Sequence, residues 1–318
     1  MCVTCGCSDG SQVTVTSLEN GKTSHSHTHT LPDGTIITHT HEHDHSHHDN
    51  GLENGKTSHT HSPTHEHAHS HHKTSEIHAR MHGTTITLEK EILSKNDRIA
   101  EQNRHWFQER GILALNLVSS PGAGKTTLLT RTINDLKSQL PISVIEGDQE
   151  TVNDAKKIRQ TGCQVVQINT GTGCHLEAAM VQRGYLELNP PSNSILAIEN
   201  VGNLVCPALF DLGEKAKVAI LSVTEGEDKP IKYPHMFRAS QVMILTKIDL
   251  LPYLQFDVNR CLEYARQVNP QIQIFQVSAT TGAGLNEWYE WLQTKLKSVA
   301  SKYETESNTV SSSKLLGA

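Results

Sequence analysis

The stretch Ser119-Ser-Pro-Gly-Ala-Gly-Lys-Thr-Thr127 constrains this chain more than any other part of it. It follows the apolar run Leu113–Val118 and opens a helical pattern near Lys125. A buried strand turning through glycines into a helix N-terminus is the frame of a phosphate-binding loop. Backbone N–H groups and the positive end of the helix surround phosphate oxygens there. Gly122, Ala123 and Gly124 are expected to bring the backbone close to the phosphates. Lys125 is expected to reach the β- and γ-phosphates, with Thr126 supplying a hydroxyl to Mg²⁺ and Thr127 completing the cradle. Ser119 stands where this pattern usually begins with Gly. The competing reading is a glycine turn beside an incidental lysine.

The rest of residues 112–300 fits that frame. Strand candidates are Leu113–Val118, Ile142–Ile145, Val165–Ile168, Ile195–Ile198, Val218–Ser222, Val242–Leu245 and Ile272–Val277. Helix candidates start near Lys125, Val152, His175, Val258 and Leu285. This alternation predicts an α/β fold, a P-loop NTPase whose mostly parallel sheet is flanked by helices. Asp148 and Glu199 each close a strand, the place for a carboxylate that holds Mg²⁺ directly or through water. Each alone also reads as a helix cap. Glu199-Asn-Val-Gly202 stands where the γ-phosphate sensor is usually Asp-x-x-Gly. Thr246-Lys-Ile-Asp249 resembles the Asn-Lys-x-Asp motif of GTPases, with Thr in the first place. Asp249 would accept from guanine N1–H and the 2-amino group, and Lys247 would lie along the base. Ser278 and Ala279 resemble the second base-contacting loop. These features turn the expectation from ATP to GTP.

The segment before residue 84 is different in kind. Of 21 His, 18 lie between His25 and His82, and residues 1–83 carry 4 Lys/Arg against 9 Asp/Glu. Only 16 of these 83 residues are apolar, too few to offset the entropy of ordering them, so a largely disordered arm is expected. His41-Glu-His-Asp-His-Ser-His-His48 nearly recurs at His65–His72, a duplicated low-complexity tract. Alternating His-x-His offers many interchangeable sets of imidazole ligands for late first-row metals. Cys2, Cys5 and Cys7 form a separate thiolate cluster about Gly6; a frayed terminus with incidental thiols is the alternative. Residues 84–111 read as an amphipathic helix with Leu88, Ile92, Ile99, Trp106 and Phe107 near helical spacing, stopped at Gly111. Residues 301–318 read as a polar C-terminal tail.

Three further ligand types fall in two loops. Cys174-His175 enters a helix, and Cys206 lies a few residues beyond Glu199. If these loops meet, thiolate, imidazole and thiolate converge, one ligand short of a closed tetrahedral site. Cys163 and Cys261 read as packing residues. No apolar run approaches the ~18 residues of a membrane helix. The opening MCVTCGCSDG lacks the regions of a secretory signal, and no basic block rich in aromatics marks nucleic-acid binding. A cytoplasmic protein without membrane or nucleic-acid partners is expected.

The combination resembles the HypB family, the GTPase that helps insert nickel into NiFe-hydrogenase. The resemblance rests on Cys2-x-x-Cys-Gly-Cys7, the His-rich stretch, Ser119–Thr127, Glu146-Gly-Asp-Gln149, Cys174-His175, Glu199-Asn-Val-Gly-Asn-Leu-Val-Cys-Pro207 and Thr224–Pro230. It implies a P-loop GTPase of the signal-recognition/MinD class, a nucleotide-dependent homodimer with slow intrinsic turnover. It implies metal at Cys2, Cys5 and Cys7, and at Cys174, His175 and Cys206 near the dimer interface. Ni²⁺ is the expected ion, with Zn²⁺ at the same sites as an option, and Mg²⁺ accompanies GTP. A small zinc-containing nickel chaperone and the hydrogenase large-subunit precursor are the implied partners. The resulting expectation is a GTP/GDP switch coupled to nickel delivery, with Lys125, Thr126, Asp148 and Glu199 serving hydrolysis and the His tract storing nickel. The alternatives are a nickel or zinc storage protein with a vestigial nucleotide site, and a urease-type nickel GTPase.

Overall fold

The computed structural model describes the backbone of residues 23–30, 36–43, 71–149 and 153–315, and the side chains of 90–149 and 153–301. The chain divides into two units, Met1–Ile86 and Thr87–Ala318. In the first, β1 (Thr23–Thr30) pairs antiparallel with β2 (Ile36–His43), setting His25 opposite His41 and His27 opposite His39. The sequence reading assigns no element here. The pairing follows from an alternating Thr/His/Ile pattern that suits a strand's period of two.

The second unit is built on a seven-stranded parallel sheet. Its strands are β3 (Leu113–Ser119), β4 (Ile142–Asp148), β5 (Gln164–Asn169), β6 (Ile195–Glu199), β7 (Ala216–Ser222), β8 (Val242–Thr246) and β9 (Gln273–Gln276), in the order β5-β4-β6-β3-β7-β8-β9. All seven expected strands are present, within a few residues at their ends. Helices cover both faces: α1 (His71–Gln108), α2 (Lys125–Leu136), α3 (Asn153–Arg159), α4 (Ala178–Leu188), the short α5 (Lys229–Lys232) and α6 (Pro234–Ala239), α7 (Val258–Val268) and α8 (Leu285–Leu315). The expected P-loop α/β architecture is therefore the observed one.

Period-two geometry splits the core across the sheet. Leu113, Leu115 and Leu117 of β3 face α2 and α8, packing with Leu129, Ile133 and the stacked pair Trp288 and Trp291. Ala114 of β3 joins Leu196 and Ile198 of β6 beneath Phe107 of α1 and Tyr185 of α4. Burying a side chain such as Phe107 contributes about 1.5–3 kcal/mol. A third cluster, with Phe237, Cys261 and Ala265, covers β7 and β8.

Two boundaries differ from the sequence reading. α1 begins at His71, ahead of the expected bridge at 84, and α8 runs to Leu315 through the segment expected as a tail. Both extensions are polar, so hydrophobic periodicity is silent about them. α5 and α6 are too short to show a period; each carries Pro at its start, where the missing N–H costs nothing. Gly111 ends the α1 region with φ +63. No helix among the described residues is long and apolar enough to cross a membrane.

Candidate functional site

The turn from β3 to α2 carries the phosphate loop. Gly122 and Gly124 hold φ of +78 and +95, a left-handed backbone that favours glycine. No side chain caps the N-terminus of α2, so its first N–H groups are not taken by a capping group. The loop lines a cleft of about 500 Å³ with Lys125, Thr126, Thr127, Glu146, Asp148, Glu199 and Lys247. The cleft lies at the carboxyl ends of the parallel strands, where ligands bind in such sheets.

Three carboxylates line this cleft with Thr126 and Lys125. The Thr126 hydroxyl donates to Glu199 Oε1 at 2.6 Å. Asp148 closes β4, and its Oδ1 accepts from the Gln149 N–H at 2.8 Å. Glu146 lies in a motif of the sequence reading but is given no role there. It sits opposite Glu199 in the ladder between β4 and β6, two residues before Asp148 and thus on the same side of its strand. That alternation was the available signal. Glu146 Oε2 and Glu199 Oε2 are both buried without hydrogen-bond partners. Burial, helped by Glu199, Asp148 and Asp154, pushes the Glu146 carboxyl up to about 8. Burial also raises Glu199, against the pull of Lys125 and the Thr126 hydroxyl. Asp154 and Lys157 of α3 line the same cleft and pair at 2.8 Å; these too were missed.

The expected base-reading residues stand at the ends of adjacent strands β8 and β9. Thr246 donates from Oγ1 to the Ala123 carbonyl at 2.7 Å, and Lys247 donates from Nζ to the Gly122 carbonyl at 2.8 Å. Thr246 in the usual Asn position thus ties β8 to the phosphate loop. Lys247 occupies the left-handed region at φ +60, and Asp249 lies in the 3₁₀ segment Ile248–Tyr253. Ser278 is buried and accepts from the Thr281 N–H, while the Ala279 carbonyl accepts from Arg131.

The structure also brings Cys174, His175 and Cys206 together, with one ligand atom from each lying within 4.8 Å of the others. Cys174 Sγ is 3.8 Å from His175 Nδ1. His175 is buried against the Phe210 ring, centroids 4.0 Å apart. Its Nε2 has no hydrogen-bond partner, and Glu177 Oε1 stands 3.9 Å away. Burial lowers the pKa of His175, favouring the neutral imidazole that a metal requires. Cys206 begins a buried 3₁₀ turn, Cys206–Ala208. Asn203 links the two loops by donating to the Cys174 carbonyl at 3.2 Å. Among the described residues this is the sole group of three or more potential metal ligands. Cys2, Cys5, Cys7 and the histidines between 44 and 70 lie outside the described residues. Cys163 and Cys261 pack against the core, with thiols pushed up to about 11 and about 12 by burial.

The two centres share a boundary. Asn200, next to Glu199, accepts on Oδ1 from the Leu176 N–H at 3.1 Å, just beyond His175. A Cβ on Gly202 would stand 3.0 Å from Pro121 Cγ, so this segment touches the phosphate loop. Gly147, between Glu146 and Asp148, similarly contacts Leu176: a Cβ there would stand 2.8 Å from Leu176 Cγ.

A parallel sheet with a glycine-rich loop, a Lys-Thr pair and strand-end carboxylates defines a P-loop nucleotide-binding protein. The family model of the CobW/HypB/UreG nucleotide-binding domain matches residues 113–276. The hydrogenase maturation factor HypB of Escherichia coli strain K12 is 60% identical over 210 residues, covering 66% of this chain and 72% of that protein. The crystal structure of hydrogenase maturation factor HypB from Archaeoglobus fulgidus is 36% identical with TM-score 0.60, covering 64% of this chain and 99% of that one. The crystal structure of HypB from Helicobacter pylori in complex with nickel is 36% identical with TM-score 0.61, covering 64% and 96%. The chain belongs to the HypB family.

Proposed function

We propose that this protein is a GTP-hydrolysing nickel metallochaperone for maturation of the NiFe-hydrogenase large subunit. Residues 112–300 form its GTPase domain, and the arm at 1–83 binds and stores nickel. The observation that carries the reading is the segment from Glu199 to Cys206. One end supplies a carboxylate to the nucleotide cleft, its middle touches the phosphate loop at Pro121, and its far end completes the Cys174–His175–Cys206 trio.

Each residue's role follows from its chemistry. Lys125 and the loop N–H groups hold the β- and γ-phosphates. Asp249 accepts from guanine, with Lys247, Ser278 and Ala279 framing the base. Thr126, Asp148 and Glu199 are hard oxygen donors, and the unpartnered Glu199 Oε2 suits a magnesium ion. Mg²⁺ bound there neutralises phosphate charge and aligns the reacting groups. The chain's own contribution to hydrolysis is positioning and charge stabilisation by Lys125 and backbone N–H groups, a recipe for slow turnover. Nickel is cargo for the neutral His175 and the two thiolates; Zn²⁺ fits the same donors. Three ligands leave room for a fourth from a second copy or from a partner. The second copy is a homodimer mate, and the partners are the small zinc-containing nickel chaperone and the large-subunit precursor in the cytoplasm.

Linkage then gates delivery. If nucleotide reorders the 199–206 segment, nickel affinity changes and nickel alters nucleotide affinity by the same factor. The test is a nickel titration in the presence of GDP and of a non-hydrolysable GTP analogue. Different affinities are expected; equal ones sink the switch. Lys125→Ala is expected to abolish phosphate release, and Cys206→Ala to weaken nickel binding and remove its nucleotide dependence.

A further inference from the structure

The candidate metal centre is built from two loops, and neither is held by its ligands alone. One face of α1 grips both. Asn96 accepts on Oδ1 from the Ala178 N–H at 2.9 Å and donates from Nδ2 to the Asp211 carbonyl at 2.7 Å. Seven residues later, two helical turns along the same face, Asn103 donates from Nδ2 to the Ala178 carbonyl at 2.9 Å and to the Leu212 carbonyl at 3.0 Å. Ala178 lies three residues beyond His175, and Asp211 five beyond Cys206. Each asparagine therefore bridges the His175 loop to the Cys206 loop.

Between them the helix backbone meets the second loop directly. Gly213 has φ +88, and a Cβ there would stand 2.5 Å from the Ala100 carbonyl oxygen and 2.7 Å from Asn103 Cβ. One turn on, Arg104 pairs with Asp211 and donates to the Glu214 carbonyl at 3.1 Å. Asn96, Ala100 and Asn103 are buried, and Asn103 Oδ1 is satisfied by the Tyr185 hydroxyl at 3.2 Å. Buried amides whose nitrogen and oxygen both have partners help to specify one geometry. Here that geometry is the separation of the loops bearing Cys174, His175 and Cys206. None of these contacts involves a group of the nucleotide cleft.

We infer that α1 is a working part of the metal centre: Asn96 and Asn103 are positioning residues that clasp its two loops and set its affinity for nickel. This rests on the trio being a metal site, as proposed above.

The test uses the full-length chain with Cys2→Ser, Cys5→Ser and Cys7→Ser. Thiolate-to-nickel charge-transfer absorption in that parent reports Cys174 and Cys206 and is blind to the histidine tract. Competition with a chelator then measures affinity. Asn96→Ala and Asn103→Ala are each expected to weaken nickel binding about tenfold, the effect of a lost buried hydrogen bond, with GDP affinity held within about twofold. Asn96→Asp keeps the acceptor for Ala178 but sets a buried carboxylate oxygen against the Asp211 carbonyl, so its loss is expected to be at least that of Asn96→Ala; the two alanine variants stand at separate positions, and either carries the test if the other fails to fold. Thr132→Val removes the buried acceptor of Trp288 Nε1, far along the chain from the trio. It is expected to lower Tm without moving nickel affinity. If Cys206→Ala abolishes the band while the three asparagine variants bind nickel like the parent, the clasp is overturned and the metal-centre reading stands. A parent with no band overturns the metal-centre reading and the clasp with it.

Discussion

Gly202→Ala isolates the contact through which the nucleotide and metal centres are proposed to communicate. The new Cβ would stand 3.0 Å from Pro121 Cγ and 3.1 Å from both its Cα and its N. Two of these atoms are backbone and the third belongs to a closed ring, so no rotamer change relieves the crowding. Gly202 does not hold a left-handed φ, so the effect is steric and not backbone strain. The 199–206 segment and the phosphate loop must part by a few tenths of an ångström. Overpacking of this kind costs about 1–3 kcal/mol, or a Tm lower by about 2–12 °C for a unit of this size.

The informative readout is the ratio of nickel affinities with a GTP analogue and with GDP. A coupling of about 1–3 kcal/mol makes that ratio about 5–150 in the unaltered chain. Parting the two segments is expected to drive it toward one, because the metal loop no longer feels the phosphate loop. Gly162→Ala is the control. Gly162, unlike Gly202, has a left-handed φ, +85, and nothing lies within 4 Å of its Cβ position, so alanine there destabilises through backbone strain without touching either centre. Nickel titrations on the three proteins decide the matter. An unaltered ratio in Gly202→Ala, at a Tm lowered as expected, would refute the coupling route.

Other perturbations follow from the cleft. The folded pKa of Glu146, about 8, lies above its unfolded value, so its stabilising contribution is fully present below the unfolded pKa of ~4.3. It is lost as pH rises through about 8. Glu146→Gln is therefore expected to raise the Tm of the nucleotide-free chain at pH 8 relative to the unaltered chain and to leave it nearly unchanged at pH 4; parallel Tm profiles would contradict the buried-acid assignment. Asp249→Ala is expected to weaken GTP binding by about tenfold or more while leaving the weak binding of ATP unchanged, since only guanine donates to that carboxylate; fluorescent-nucleotide titration with both bases checks it. Gly147→Ala sets its Cβ 2.8 Å from both Cγ and Cδ1 of Leu176, the residue after His175, so Leu176 must shift and nickel affinity is expected to fall more than GDP affinity, measured by paired titrations.

What was legible in the sequence depended on whether physics acts locally. The central strands were readable because a strand covered on both faces is largely apolar, and the edge strands β5 and β9 still show short apolar runs between helices. Gly122, Gly124, Lys125 and Thr126 were readable because a phosphate cradle requires those residue types at that spacing. The hairpin β1–β2, the polar start of α1 and the polar end of α8 were not, because hydrophobic pattern was the only guide and they contain little. Glu146 was overlooked in favour of Asp148, although alternation puts both on one side of β4. The clasp was beyond reach for a different reason. Asn96 and Asn103 look like ordinary polar residues in an amphipathic helix, and their partners are backbone groups of Ala178, Asp211 and Leu212, which any sequence would supply. A side chain whose partners are peptide groups leaves no mark at the other end of the bond. The chemistry of a site is written in its residue types, whereas the geometry that tunes it is held by main-chain contacts that only the folded chain discloses.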